Sequence, residues 1–324
     1  MTPTMNKLAK LGKERLTELG ELSSALFEHM PPRDMATLLF PPALGLDLVE
    51  SAMADTEIPD NTYDETMPDR GMLDASLDMA RWFSRHYFKT SIDGVDSVPK
   101  EGGALIVGNH SAGLMPLDAL FAMNEIRDAG GEDRIVHPLV HDFAYVSKVA
   151  ARNSRKMGIL RAKRESALPA LADGRLVLVY PGGDQDAFRT FADRKKVVLA
   201  GRKGFVRLAM EAGVPIVPLV SVGLHESFLV LSKGERLAKA LGLKKLMRTE
   251  VFPIGFSLPW GLAPSFFTFL PLPTSIEMRF CESVDTAGNP RDEERVREIY
   301  DTVEGLMQEA MDDLNRNRIP LLGR

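Results

Sequence analysis

The sequence predicts an α/β protein: a mixed central sheet flanked by helices, preceded by an N-terminal helical region. Three observations predict it. From about residue 89 onward, short apolar runs bounded by turn residues alternate with segments of helical period, the rhythm of strands and crossover helices. The clearest run, Leu176-Val177-Leu178-Val179-Tyr180, stops at once on Pro181-Gly182-Gly183. Both ends of the chain are strongly periodic. Leu8, Leu11, Leu19, Leu22 and Leu26 recur at helical spacing near the start, and Val296, Ile299, Val303, Leu306, Ala310 and Leu314 near the end. The pattern divides the chain into a helical region over residues 1–85, an α/β domain over 86–290 and a C-terminal helix over 291–324 packed on it.

In order, a helix is expected over residues 4–29, ended by Pro31-Pro32. A second, over about Arg33 to Ala54, is kinked or split by Pro41-Pro42. Residues 55–70 read as a polar linker. A helix over about Leu73 to Tyr87 carries Trp82, Phe83, Tyr87 and Phe88, suited to docking on the core or in a lipid interface. Thr90 to Val98 holds a strand and turn, and Ala104 to Val107 is a buried strand. Helices are expected over about Pro116–Ala129, 143–157, Ser166–Ala172 and 202–212. Strands are expected at Ile135–Val140, 176–180 and Val214–Val220. Pro215 and Pro218 suggest an edge position or strand ends for the last of these. Met278 to Cys281 makes one more short strand, and Asp292 to Asn315 the closing helix.

Composition narrows the function. The net charge of -5 argues against nucleic acid as a partner. The single cysteine, Cys281, leaves no internal disulfide and fits a reducing compartment. The first 22 residues mix Lys, Arg and Glu and lack the apolar core of a secretory signal. The uncharged run Val251 to Ile276 contains Pro253, Pro259, Pro264, Pro271 and Pro273, too many breakers for a spanning helix. These features predict a cytoplasmic protein that is not integral to a membrane but lies peripherally on its surface.

The chemistry-bearing residues lie on loops after strands. Gly108-Asn109-His110-Ser111 follows the 104–107 strand, where a scaffold holds loop residues firmly. An imidazole titrates near neutral pH, so His110 can take a proton from an attacking alcohol. Asp118, eight residues on, can orient it; its plainer reading is a carboxylate at a helix N-terminus. Ser111 beside His110 lacks the G-x-S-x-G context of a serine hydrolase. The six His are scattered without metal-ligand spacing, so no metal is expected. Gly182-Gly183 offers backbone N–H groups to an oxyanion or phosphate. Between Phe143 and Glu165 lie Lys148, Arg152, Arg155, Lys156, Arg161, Lys163 and Arg164 without an acid, which suggests a bound anion; Arg202 and its neighbours add a second cluster. The alternative is a solvated helix face.

In this order and spacing, NHSAGLMPLD, MGILRAKRESA, LVLVYPGGDQDAFR and VPIVPLV resemble the conserved blocks of the lysophospholipid/glycerolipid acyltransferase superfamily, in its monoacylglycerol-acyltransferase-like branch. The resemblance covers about residues 86–285. It departs in two places. The commonest family form places the Asp five residues after the His, where this chain has Met115, and the family's Glu in the third block is Asp184 or Asp186 here.

The resemblance implies transfer of a fatty acyl group from acyl-CoA or acyl carrier protein to a hydroxyl of a lysophospholipid or acylglycerol-type lipid. His110 is then the general base and Asp118 its orienter. Asn109, Ser111, Gly182 and Gly183 serve an oxyanion or phosphate, and Arg161, Lys163, Arg164 and Arg202 the phosphate of acceptor or CoA. No cofactor is implied beyond acyl-CoA as co-substrate. Phe256, Trp260, Phe266 and Phe267, in the uncharged run, are candidates for membrane contact, the alternative being a buried strapping loop. Two other functions stay open: a non-catalytic lipid- or membrane-binding protein with the same fold, and a lipid hydrolase.

Overall fold

The computed structural model of the chain describes residues 3–34, 63–64, 68–110, 117–140, 145, 148–227, 229–243, 250–257, 261–264 and 271–324. Helices α1 (Pro3–His29) and α2 (Arg70–His86) come first. The α/β part follows as β1 (Ser91–Asp93), β2 (Ala104–Gly108), α3 (Leu117–Gly130), β3 (Val136–Val140), α4 (Lys148–Lys156) and β4 (Leu160–Arg161). It continues as α5 (Arg164–Ala172), β5 (Leu176–Val179), α6 (Gly183–Ala187), α7 (Gly204–Ala212), β6 (Ile216–Val222) and α8 (Leu224–Ser227). Last come β7 (Leu229–Ser232), α9 (Glu235–Ala240), β8 (Ile254–Ser257), β9 (Gly261–Pro264), β10 (Glu277–Phe280) and α10 (Glu293–Leu314).

Seven strands form one mixed sheet in the order β1-β10-β6-β2-β5-β3-β4. From β6 to β4 every pairing is parallel, and β10 runs antiparallel to β6. Strands covered on both faces read as continuous apolar runs, and β2 and β6 are buried at every position. On one face Leu105, Val107, Val177, Ile216 and Val220 pack against α5, α7 and α10. On the other, Ala104, Ile106, Leu178, Val217 and Leu219 pack with residues of α2 and α3. The parallel strands end on a common edge, where ligands of open α/β sheets bind. That edge carries His110 after β2, Tyr180 after β5, Arg161 at the end of β4 and His225 just past β6.

The edge position expected for the strand with two prolines is corrected: β6 lies inside the sheet, between β10 and β2. Pro218 is tolerated because the β10 ladder stops at Phe280↔Leu219 and resumes only as an isolated Ile216↔Val284 bridge. The missing N–H falls in that gap, while the Pro218 carbonyl still accepts the Cys281 N–H at 2.8 Å. A second, three-stranded sheet, β7-β8-β9, forms where no strand was expected, with β8 and β9 inside the uncharged run. The helix expected over Arg33 to Ala54 lies, beyond its first two residues, outside the described residues.

At the N-terminus α1 packs on α2 through Leu26, Met30, Met72 and Ala75. Asp69 caps α2 by accepting the Met72 N–H at 2.9 Å. At the other end α10 lies under the sheet, and the tail beyond it returns to the site edge. Buried Arg318 there forks onto Glu226 at 3.0 and 3.1 Å and reaches Glu277 at 2.8 Å. No helix among the described residues is long and apolar enough to cross a membrane.

Candidate active site

The loop after β2 is fixed first by Asn109. Its Nδ2 donates to the Ser221 carbonyl at 2.9 Å, and the Ser221 N–H donates to its Oδ1 at 2.7 Å. The side chain thus extends the β2–β6 ladder by one artificial rung. The oxyanion role expected for Asn109 is corrected accordingly: the residue is buried and both amide atoms bond the main chain of β6.

His110 then turns its ring toward α3. Nδ1 lies 3.5 Å from Oδ2 of Asp118, which is fully buried in the first turn of α3. The other carboxylate oxygen of Asp118 accepts the Ala119 N–H at 2.9 Å. The two readings of Asp118 therefore coincide: it terminates the helix and faces the imidazole, and the long His–Asp interval is closed by α3 starting at Leu117. Burial pulls His110 down, but the Asp118 carboxylate, with Asp186 beyond it, outweighs burial and leaves the imidazole above its usual range. With Nδ1 on Asp118, Nε2 is the ring atom left for a substrate.

The ring of His110 stacks on Tyr180, centroids 4.8 Å apart and planes 23° from parallel. Gly108 makes this possible, since a Cβ there sits 2.5 Å from Cε1 of Tyr180. The Tyr180 hydroxyl is buried, and burial with the nearby Asp118 charge raises it well above the ordinary phenol range.

Beneath the loop, Oδ2 of Asp186 accepts the His110 main-chain N–H at 2.5 Å, and Oδ1 pairs with Nη1 of Arg189 at 2.6 Å. Both side chains are fully buried. Burial pushes the Asp186 carboxyl up to about 6 against the opposing pull of Arg189. Of the two acids in the third block, Asp186 is the one beneath His110; Asp184 instead accepts the Glu250 N–H at 3.2 Å.

The Pro181-Gly182-Gly183 turn requires both glycines. A Cβ on Gly182 collides with the Val198 carbonyl at 2.0 Å, and Gly183 adopts φ +53°. The Gly183 N–H closes the turn onto the Tyr180 carbonyl at 3.1 Å, so the expectation that it serves an oxyanion is corrected; Gly182 retains that candidacy. Arg202 braces the turn, its Nη1 donating to the Pro181 carbonyl at 2.8 Å.

The basic segment is largely engaged within the fold. Arg152 pairs with buried Asp34, Arg155 with Asp64 at 2.9 Å, and Lys156 donates to the His29 carbonyl at 3.0 Å. Arg164, expected at a phosphate, pairs with Glu211 of α7 on the exposed surface. Arg161 lies over the Tyr145 ring at 5.1 Å on the site edge, and Lys163 is exposed two residues on. At roughly 4.8 Å per strand, Arg161 stands about 14 Å from the end of β2. Ser111, Trp260, Phe266 and Phe267 lie outside the described residues; Phe256 is exposed on β8.

Sequence reasoning missed His225, whose buried Nε2 donates to the His110 carbonyl at 3.1 Å. Its one sequence signal is being the first polar side chain after β6. Tyr180 and Arg189 were missed as site residues too: Tyr180 reads as the end of a strand, and Arg189 was not singled out. His137 stands apart, buried in β3 with Nδ1 on the Gly158 carbonyl at 2.7 Å.

Residues 89–222 match the family model described as Acyltransferase. An uncharacterized protein of Mycobacterium tuberculosis is 32% identical over 209 residues, 64% of this chain and 56% of that protein. The "DGAT1/2-independent enzyme synthesizing storage lipids" of Bos taurus is 29% identical over 150 residues, 46% of this chain and 43% of the enzyme. The chain thus spans about half the length of these relatives. The crystal structure of the 1-acyl-sn-glycerophosphate (LPA) acyltransferase PlsC from Thermotoga maritima superposes with a TM-score of 0.50 at 16% identity, covering 92% of this chain and 97% of that one. At that identity the likeness is one of fold.

Proposed function

We propose that the protein transfers a fatty acyl group from a thioester, acyl-CoA or acyl carrier protein, to the hydroxyl of a lysophospholipid or acylglycerol-type lipid, a reading supported by the match of residues 89–222 to the Acyltransferase family model. The observation that carries the reading is the facing of His110 and buried Asp118 at the end of β2, with Nε2 left for an acceptor.

In the proposed reaction Nε2 of His110 takes the acceptor's hydroxyl proton as its oxygen attacks the thioester carbonyl. Asp118 stabilises the imidazolium that forms. The new C–O bond forms, the C–S bond breaks, and the leaving thiolate recovers the proton from Nε2. The N–H of Gly182, which the turn does not use, supports the carbonyl oxygen as it becomes anionic. Arg202 beside the turn, with Arg161 and Lys163 farther along the edge, supplies cations for phosphate on donor or acceptor.

The test is incubation with labelled acyl-CoA or acyl carrier protein and a panel of lipid acceptors, resolved by thin-layer chromatography. Acceptor-dependent acylated product, abolished in His110→Ala, is expected. Free fatty acid released without acceptor makes the protein a hydrolase, and binding without turnover makes it a lipid-binding protein.

A further inference from the structure

The small sheet β7-β8-β9 has one face packed inward and one left open. Val230 and Gly255 are buried partners on the inner side, and Val251 beside them packs on Ala187 and Phe188, just past the Gly182-Gly183 turn. On the outer side, cross-strand pairing sets Leu229 opposite Phe256 and Phe256 opposite Leu262. Phe256 is 41% exposed, Leu262 68%, and Leu231, at the bulge in β7, 59%. Helix α9 and its end add Leu237 and Leu241, also exposed. Large apolar side chains scattered singly need no explanation, but five within one short segment do.

The same segment is basic in an acidic protein. From Leu229 to Leu243 the segment holds Lys233, Arg236 and Lys239 against the single acid Glu235. Arg236 and Lys239 are exposed. Leucines and an aromatic interleaved with cations match the boundary of an anionic bilayer, where apolar groups enter the acyl region and cations meet headgroups.

We propose that the open face of β7-β8-β9, with the start of α9, docks this protein on an anionic lipid bilayer. The position suits the chemistry. Lys233, where β7 ends, donates to Gln185 at 3.2 Å, and β7 follows directly on the helix that carries His225. Docking there brings the lipid surface up to the turn beside His110, so that an acceptor reaches Nε2 without leaving the membrane. The inference rests on the acyl-transfer reading, yet its test measures binding rather than turnover.

The purified chain is sedimented with phosphatidylcholine vesicles, with and without phosphatidylglycerol. Native protein is expected to bind, more tightly with phosphatidylglycerol. Leu231→Ser with Leu262→Ser is expected to weaken binding about tenfold or more. Arg236→Glu with Lys239→Glu removes the preference for phosphatidylglycerol. Both double variants keep native turnover of a water-soluble short-chain thioester and acceptor. Native-level vesicle binding by the leucine variant overturns the proposal. So does a native chain that ignores vesicles but self-associates through this face, seen as dimers in sedimentation velocity that the leucine variant abolishes. Vesicle binding with no turnover on any acceptor sinks the acyl-transfer reading and leaves the docking surface standing.

Discussion

The imidazole of His110 lies on the ring of Tyr180, 4.8 Å away, because residue 108 has no side chain to hold them apart. Tyr180 acts here as a floor: it fixes the plane of the imidazole so that Nδ1 points at Asp118. Gly108→Ala places a methyl 2.5 Å from the Tyr180 ring. It is expected to lower kcat by about a hundredfold and to cost about 1–3 kcal/mol of stability by overpacking. Tyr180→Phe keeps the stack and most of the turnover. Steady-state kinetics with urea unfolding measures both, and an active Gly108→Ala enzyme refutes the role of the stack.

Asp118 holds His110 above its usual range against the effect of burial. A base works only when neutral, so kcat/KM should fall as pH drops through that raised pKa. In Asp118→Asn the opposing effect of burial is left alone, and the acidic limb should move to lower pH. The plateau should drop by about a hundredfold or more, because the imidazolium loses its counter-charge. A pH–rate profile whose acidic limb does not move contradicts the pairing.

His225 is buried and donates to the His110 carbonyl. Burial, followed by the charge of Arg189, holds its imidazole well below the ordinary range. Its folded pKa is thus depressed, so the unfolded chain binds a proton that the folded chain refuses. Stability from this group is present above the unfolded pKa and is lost as pH falls below it. Between about pH 7 and about pH 5.5 the loss should be about 1 kcal/mol. Urea unfolding of native protein and His225→Gln at both pH values should show the variant losing less, by about that amount.

Arg318 bridges Glu226 and Glu277 in the tail cluster, where Arg324 also pairs with Glu277 at 2.8 Å. Arg318→Ala leaves the Glu226 carboxylate buried and facing no charge, and should cost about 3–5 kcal/mol. Arg318→Lys, which cannot fork, should recover only part of that. Equal midpoints for native protein and Arg318→Ala in thermal unfolding rule out a structural role for this cluster.

Much of the fold is legible because the central strands are buried on both faces: Leu105 to Val107 and Leu176 to Val179 must be apolar throughout. His110, Asp118 and the Pro-Gly-Gly turn are legible because each breaks a regular pattern at a strand end or a helix start. What escapes the sequence depends on neighbours far along the chain. Asn109 looks like an oxyanion donor until β6 is placed beside it, and Arg164 like a phosphate ligand until α7 brings up Glu211. The small sheet escapes because its strands are only four residues each, and β8 and β9 carry Gly255, Gly261 and Pro264, so in those two the usual strand signals fall on breakers.

The amide of Asn109 joins residues 112 positions apart. β2 sits between β5 and β6, both made long after it, so His110 and Asp118 leave the ribosome well before the walls that orient them. Two wide chain closures must be completed before the imidazole has a floor in Tyr180 or a clip at Ser221, and such closures are slow. Activity in a refolding chain is therefore expected to return late, in step with the insertion of β6 and after most of the helix signal.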